Sequence, residues 1–156
     1  MINITLKDGS KKSFPKGISV LGVAKSISEG FSRNVISAKF NDIIIETTTC
    51  LDCDGSLELY TWDNKNGKKA FWHSSSHILA QAIQELYKGA KLTIGPAIDK
   101  GFYYDVDFGD KSISEKDFKN IESKMLEIAR GKHDFNMRSV SKSDALKFYL
   151  SEKNEY

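Results

Sequence analysis

No stretch of the sequence approaches the roughly 20 consecutive apolar residues needed to cross a bilayer, which excludes a simple membrane-spanning helix. The N-terminus lacks the basic flank and long apolar segment of a signal peptide, because Met1-Ile2-Asn3-Ile4-Thr5-Leu6 already alternates as a strand does. A cytoplasmic location is the expectation. Cysteine is scarce. Cys50 and Cys53 form a lone C-x-x-C without a second pair or a nearby histidine, so two reduced thiols near a turn are expected rather than a zinc or redox centre. Charge of one sign is missing too: 23 Lys and Arg against 21 Asp and Glu leave +2. That balance supports no sequence-independent phosphate footprint, so any RNA contact must be local. The short basic cluster Lys65-Asn66-Gly67-Lys68-Lys69 reads as a solvated linker.

What is present is ordinary globular composition, 40% hydrophobic and 28% charged, over 156 residues. The length suits two small domains. Ile2, Ile4 and Leu6 alternate with polar neighbours, Asp8-Gly9 supplies a turn, and Lys11 to Phe14 returns as a second strand. Ser19 stands where an N-cap belongs, ahead of Val20, Leu21, Val23, Ala24 and Ile27 at helical spacing, with Gly30 as the stop. Val35 to Phe40, Ile43 to Ile45 and Leu57 to Trp62 read as strands, separated by turns at Asn41-Asp42 and Asp54-Gly55. Hairpin, crossing helix and further strands within about sixty residues make a β-grasp, ubiquitin-like unit. Residues 1–62 are therefore expected as one domain, 63–69 as a flexible linker, and 70–156 as a second unit. The fold class is α+β.

The second unit opens on a helix whose Leu79, Ala82, Ile83 and Leu86 form a core stripe, ending at Gly89. Leu92 to Pro96, with a Gly-Pro loop at Gly95-Pro96, leads to Gly101 to Phe108, which reads as strand, and Ser114-Glu115-Lys116-Asp117 has the form of a capping box before Phe118, Ile121, Met125, Ile128 and Ala129, stopped by Gly131. Phe135 to Val140 reads as another strand, and Ser141 to Asp144 as a second cap. No internal repeat is present. No closing strand follows Tyr156, so the second unit is expected to be the first part of something longer.

Histidine is scarce too, with three in the chain, and two of them lie in Trp72-His73-Ser74-Ser75-Ser76-His77. Four residues apart on a helix, they share a face; with Gln81 and Gln84 they occupy a stripe about 120° from the core stripe, facing a groove or solvent. Three readings stand. H-x-x-x-H supplies two of the three or four ligands of a metal site, but Ser74 stands where a metalloprotease has its glutamate. Alternatively, a histidine orients or deprotonates a water for hydrolysis of an activated ester. The third reading is a surface or stabilising pair, with the serines serving the helix N-terminus and packing. His133, beyond Gly131-Lys132, reads as surface.

Phe14-Pro15-Lys16-Gly17, His73-Ser74-Ser75-Ser76-His77-Ile78-Leu79-Ala80, Ile94-Gly95-Pro96-Ala97-Ile98, Gly101-Phe102-Tyr103-Tyr104-Asp105 and Ile121-Glu122-Ser123-Lys124-Met125, in this order, closely resemble the N-terminal part of the bacterial-type threonyl-tRNA synthetase family. The resemblance implies a TGS domain at residues 1–62 and the first part of the N2 editing domain from residue 70. It implies hydrolysis of serine wrongly attached to threonine tRNA, with His73 and His77 positioning or activating the water. Gly95, Tyr103 and Tyr104 match pocket-wall motifs that would hold the terminal adenosine. No metal ligand is implied in this segment. The family's zinc, ATP and magnesium belong to a class II catalytic core beyond these residues, as do the cysteine, histidine, lysine and aspartate that complete its editing pocket. Partners implied are threonine tRNA, the remainder of the synthetase and a second copy in a homodimer. Trp72 departs from the arginine typical of the family. A non-catalytic RNA- or ribosome-binding TGS module is the alternative.

Overall fold

The computed structural model describes residues 1–133 and 139–151. It comprises two compact units, Met1–Trp72 and a second beginning at His73. In the first, β1 (Ile2–Leu6) and β2 (Lys11–Phe14) form the expected hairpin, with Ile2 opposite Phe14 and Thr5 opposite Lys11. The turn needs a left-handed residue, and Gly9 supplies it at φ 83°. A two-residue strand β3 (Ile18–Ser19) leads into α1 (Val20–Ile27), where the Ser19 hydroxyl accepts from the Gly22 N–H at 3.0 Å.

Gly30 does not stop this helix. Ser28, in extended conformation, ends α1 and caps a further turn, α2 (Glu29–Ser32), by accepting from the Phe31 N–H, so Gly30 lies inside that turn. The capping power of a serine in extended backbone outweighed the glycine. Strands β4 (Ser37–Phe40) and β5 (Ile43–Ile45) pair across Asn41-Asp42, both at positive φ. Then come β6 (Cys50–Leu51), paired with β3, and β7 (Gly55–Tyr60). Val35 and Ile36 precede β4, and Trp62 lies beyond β7, so the strands are shorter than the apolar runs suggested.

The five-stranded sheet runs β2-β1-β7-β4-β5, with β1 and β7 parallel at its centre. One face is apolar: Ile4 and Leu57 of the sheet are almost wholly buried together with Val20 and Val23 of α1 and Leu51 of β6. Each such side chain contributes about 1.5–3 kcal/mol on burial. This is the β-grasp read from the sequence.

The linker expected at 63–69 is not flexible chain. Lys65 to Lys69 form the start of α3 (Lys65–Leu86), so the helix begins five residues before Ala70. Asn64 makes this start: its carbonyl accepts from the Lys68 N–H at 2.9 Å and its side chain from the Asn66 N–H at 2.8 Å. A polar composition that suits a linker suits a capped, solvated first turn equally well.

Beyond α3, the strand pairs β8 (Lys91–Leu92) with β11 (Val106–Asp107) and β9 (Ala97–Ile98) with β10 (Gly101–Phe102) make an irregular hairpin, so the run from Gly101 to Phe108 is broken rather than one strand. Helix α4 (Glu115–Arg130) starts where the capping box was read; the Asp117 carboxylate accepts from both the N–H and the hydroxyl of Ser114 at 2.9 Å. Helix α5 (Lys142–Ser151) starts on Ser141, whose hydroxyl accepts from the Asp144 N–H. Most of the strand expected at Phe135 to Val140 lies outside the described residues. Among the described residues of this unit, Ala80, Ala82, Ile83 and Ile121 are the buried apolar side chains. Among the described residues, no helix is long and apolar enough to cross a membrane.

Candidate functional site

The histidines stand on α3 because the sequence divides that helix by face. Ser76, Ala80 and Ile83 recur at i, i+4 and i+7 and are buried, whereas His73, His77, Gln81 and Gln84 are exposed. Ser76 belongs to the core face although it is polar: its hydroxyl donates to the His73 carbonyl at 2.7 Å, which satisfies it inside the helix.

The two imidazoles meet edge to face, with ring centroids 4.6 Å apart and an interplanar angle of 85°. Their Nε2 atoms are 3.1 Å apart. A hydrogen bond at that distance requires one Nε2 to carry a proton and the other a lone pair, so the two rings cannot both be cations. Burial, and after it the charge of His73, hold His77 below the usual histidine pKa of 6.5. At neutral pH His77 is therefore an uncharged imidazole, a base with one ring nitrogen fixed by its neighbour. Among the described residues, no group of three or more His, Cys, Asp and Glu side chains gathers as metal ligands would. His133 is exposed, as the sequence suggested.

The pocket-wall residues separate into two environments. The hairpin ladder is interrupted at 93–96 and 103–105 but still joined: the Asp105 N–H donates to the Ile94 carbonyl at 3.1 Å, and the Tyr103 N–H to the Pro96 carbonyl at 3.2 Å. Gly95 and Tyr104 are brought into contact across this gap. A Cβ on Gly95 would run into ring atoms Cδ2 and Cε2 of Tyr104, so the aromatic face lies against bare backbone. Burial pushes the Tyr104 hydroxyl above the ordinary tyrosine pKa. Tyr103 points the other way and is 66% exposed, as alternation along an extended segment requires.

Tyr104 also borders a groove of about 570 Å³ whose walls include Leu79, Ile83, Phe108, Ile121 and Met125. The groove meets α3 on its core face, about a third of a turn round from the histidines, and neither histidine is in its wall. Lys124 links α4 to α3 by an ion pair with Glu85 at 2.8 Å, which lowers the Glu85 pKa. Sequence reasoning missed the role of Ser76. Its place in the i, i+4, i+7 apolar series was the available signal.

The first unit's sequence matches the TGS domain model over residues 2–61. Across all 156 residues the chain is 62% identical to a threonine–tRNA ligase of Flavobacterium psychrophilum and 48% identical to one of Cytophaga hutchinsonii, covering 24% of each. A threonine–tRNA ligase of Caldanaerobacter subterraneus is 47% identical over 152 residues, 97% of this chain and 23% of the relative. The chain thus spans about a quarter of the length of these curated relatives.

Proposed function

From the likeness of this chain to the N-terminal regions of threonine–tRNA ligases, with a TGS domain at residues 2–61, we propose that residues 70–156 supply half of a site that removes serine from threonine tRNA. The whole protein would attach threonine to its tRNA with ATP as a class II synthetase, using zinc and magnesium in regions outside this segment. The need for a second site is physical: serine lacks one methyl of threonine, and rejecting such a near-isostere by binding alone yields only about 1–3 kcal/mol. Serine that slips through is released by hydrolysis of its ester.

The observation that carries this reading is the Nε2–Nε2 contact of 3.1 Å between His73 and His77 on the exposed face of α3. His77, neutral at pH 7, accepts a proton from water as the water oxygen attacks the ester carbonyl, and gives that proton to the terminal ribose oxygen as the acyl C–O bond breaks, releasing serine. His73 fixes the ring that does this. Gly95 and Tyr104 form an aromatic-on-backbone wall suited to the terminal adenosine, and exposed Tyr103 offers a second ring for it. Tyr103 and Tyr104 face apart, so they would hold one nucleoside only if the hairpin rotates one of them.

The test is deacylation of serylated threonine tRNA by the full-length protein. His73→Ala is expected to slow it a hundredfold or more while threonine attachment continues; undiminished deacylation would remove the assignment. The TGS match supports a second reading, a non-catalytic RNA-binding module. Tight, salt-sensitive RNA binding by residues 1–62 alone, with deacylation insensitive to both histidines, would favour it.

A further inference from the structure

One cluster in the first unit is used by neither reading. Gly67 is buried, and a Cβ there would strike the Thr61 carbonyl, so the first turn of α3 lies directly on the end of the preceding segment. This brings Trp62 against the next turn of the helix. Trp62, Phe71 and Trp72 meet edge to face, with ring centroids 5.1, 5.5 and 5.4 Å apart. Trp62 and Phe71 each keep over 40% of their surface exposed, so the cluster is not a closed core. The Lys68 ammonium stands 5.6 Å from the centre of a Trp62 ring.

Helical rotation places Lys65, Lys68, Lys69 and Trp72 on one face about 100° wide. The first turn of α3 carries no acidic residue, and Asp63 is the only carboxylate between residues 61 and 72. Lysines at a helix N-terminus oppose the helix dipole, so local stability does not explain them. Exposed rings interleaved with cations suit one class of ligand, a polyanion that also offers flat aromatic faces.

We propose that Trp62, Phe71 and Trp72 with Lys65, Lys68 and Lys69 form a stacking and phosphate-contact surface for an unpaired RNA strand. The proposal rests on RNA being the partner in the reading above, and adds a contact surface outside the histidine pair. An unpaired strand is specified because a duplex hides its base faces by stacking them on one another. A base lies on the exposed indole or phenyl surface, and Lys65, Lys68 and Lys69 meet the flanking phosphates.

Both tryptophans of the chain lie in this cluster, so all tryptophan emission reports on it. Titrating the 156-residue chain with a short single-stranded oligoribonucleotide is expected to quench that emission saturably. Three phosphate contacts imply a slope of about −2 in log affinity against log salt, so binding weakens about twentyfold from 50 to 200 mM. Trp62→Ala is expected to weaken binding about five- to hundredfold by a label on the RNA. Lys69→Gln, at an exposed position of the same face, reduces the salt slope by about 0.7 and covers the case in which Trp62→Ala does not fold. Duplex RNA and inorganic polyphosphate should leave the emission unchanged. Absence of saturable quenching, or an equal response to duplex or polyphosphate, would overturn the proposal. Loss of deacylation without loss of quenching concerns only the histidines, so the two readings fail separately.

Discussion

Gly95 and Tyr104 offer a one-methyl test of the pocket wall. Gly95 is not in the left-handed region, so what demands glycine there is the ring against it rather than the backbone angle. Gly95→Ala is expected to destabilise the chain by about 1–3 kcal/mol in urea unfolding, as overpacking does. In a Tyr104→Ala background the penalty should largely vanish, giving a coupling well above additivity. At His77 the expectation concerns pH. Its folded pKa lies below 6.5, the unfolded value, because burial and then the charge of His73 disfavour the cation. The neutral ring therefore contributes stability that is present above pH 6.5 and is lost as pH falls through the lower folded pKa. Urea midpoints measured between pH 7.5 and 5 should fall with acidification, and His77→Gln should flatten part of that slope.

At the scale of elements, α3 carries the account, and its two ends are set by different chemistry. Asn64 caps the start through its side chain, and Asn64→Ala is expected to cost about 1 kcal/mol in thermal unfolding. Gly67 offers a contest of magnitudes. Replacing a helical glycine by alanine gains about 1 kcal/mol of helix propensity, but here the new methyl meets a backbone carbonyl that has no rotamer to change. Overpacking of this kind costs about 1–3 kcal/mol or more, so Gly67→Ala should lower the midpoint rather than raise it. An unchanged or higher midpoint would show that Thr61 and the helix start can part freely. Past the opposite end at Leu86 the chain turns through Gly89, the Ala90 N–H donating to the Tyr87 carbonyl, and the Gly89 φ of 89° is a left-handed conformation that favours glycine.

Across the molecule, the sequence made the periodic parts readable and hid those set by single contacts. The alternation of Ile2, Ile4 and Leu6 and the helical spacing of Val20, Val23 and Ala24 specify the β-grasp core, because burial of one face leaves a regular pattern. The start of α3 was hidden because Lys65 to Lys69 carry no apolar periodicity; the cap at Asn64 and the close approach at Gly67 decide it. Ser28 likewise decides the break between α1 and α2 against the glycine signal. In the candidate site, the common face of His73 and His77 followed from their spacing, whereas the 3.1 Å contact and the packing of Tyr104 on Gly95 depend on rotamers and an interrupted ladder that no pattern encodes. The family resemblance puts Tyr103 and Tyr104 in one pocket wall, yet extended backbone sends them apart. The central claim is that the two histidines act as one hydrolytic pair. Single-turnover deacylation of serylated threonine tRNA by the full-length protein, compared among His73→Ala, His77→Ala and the double variant, addresses it most directly. A pair acting as a unit gives singles that each lose about as much as the double, a hundredfold or more; losses that multiply independently, or a double variant as fast as the parent, would contradict it.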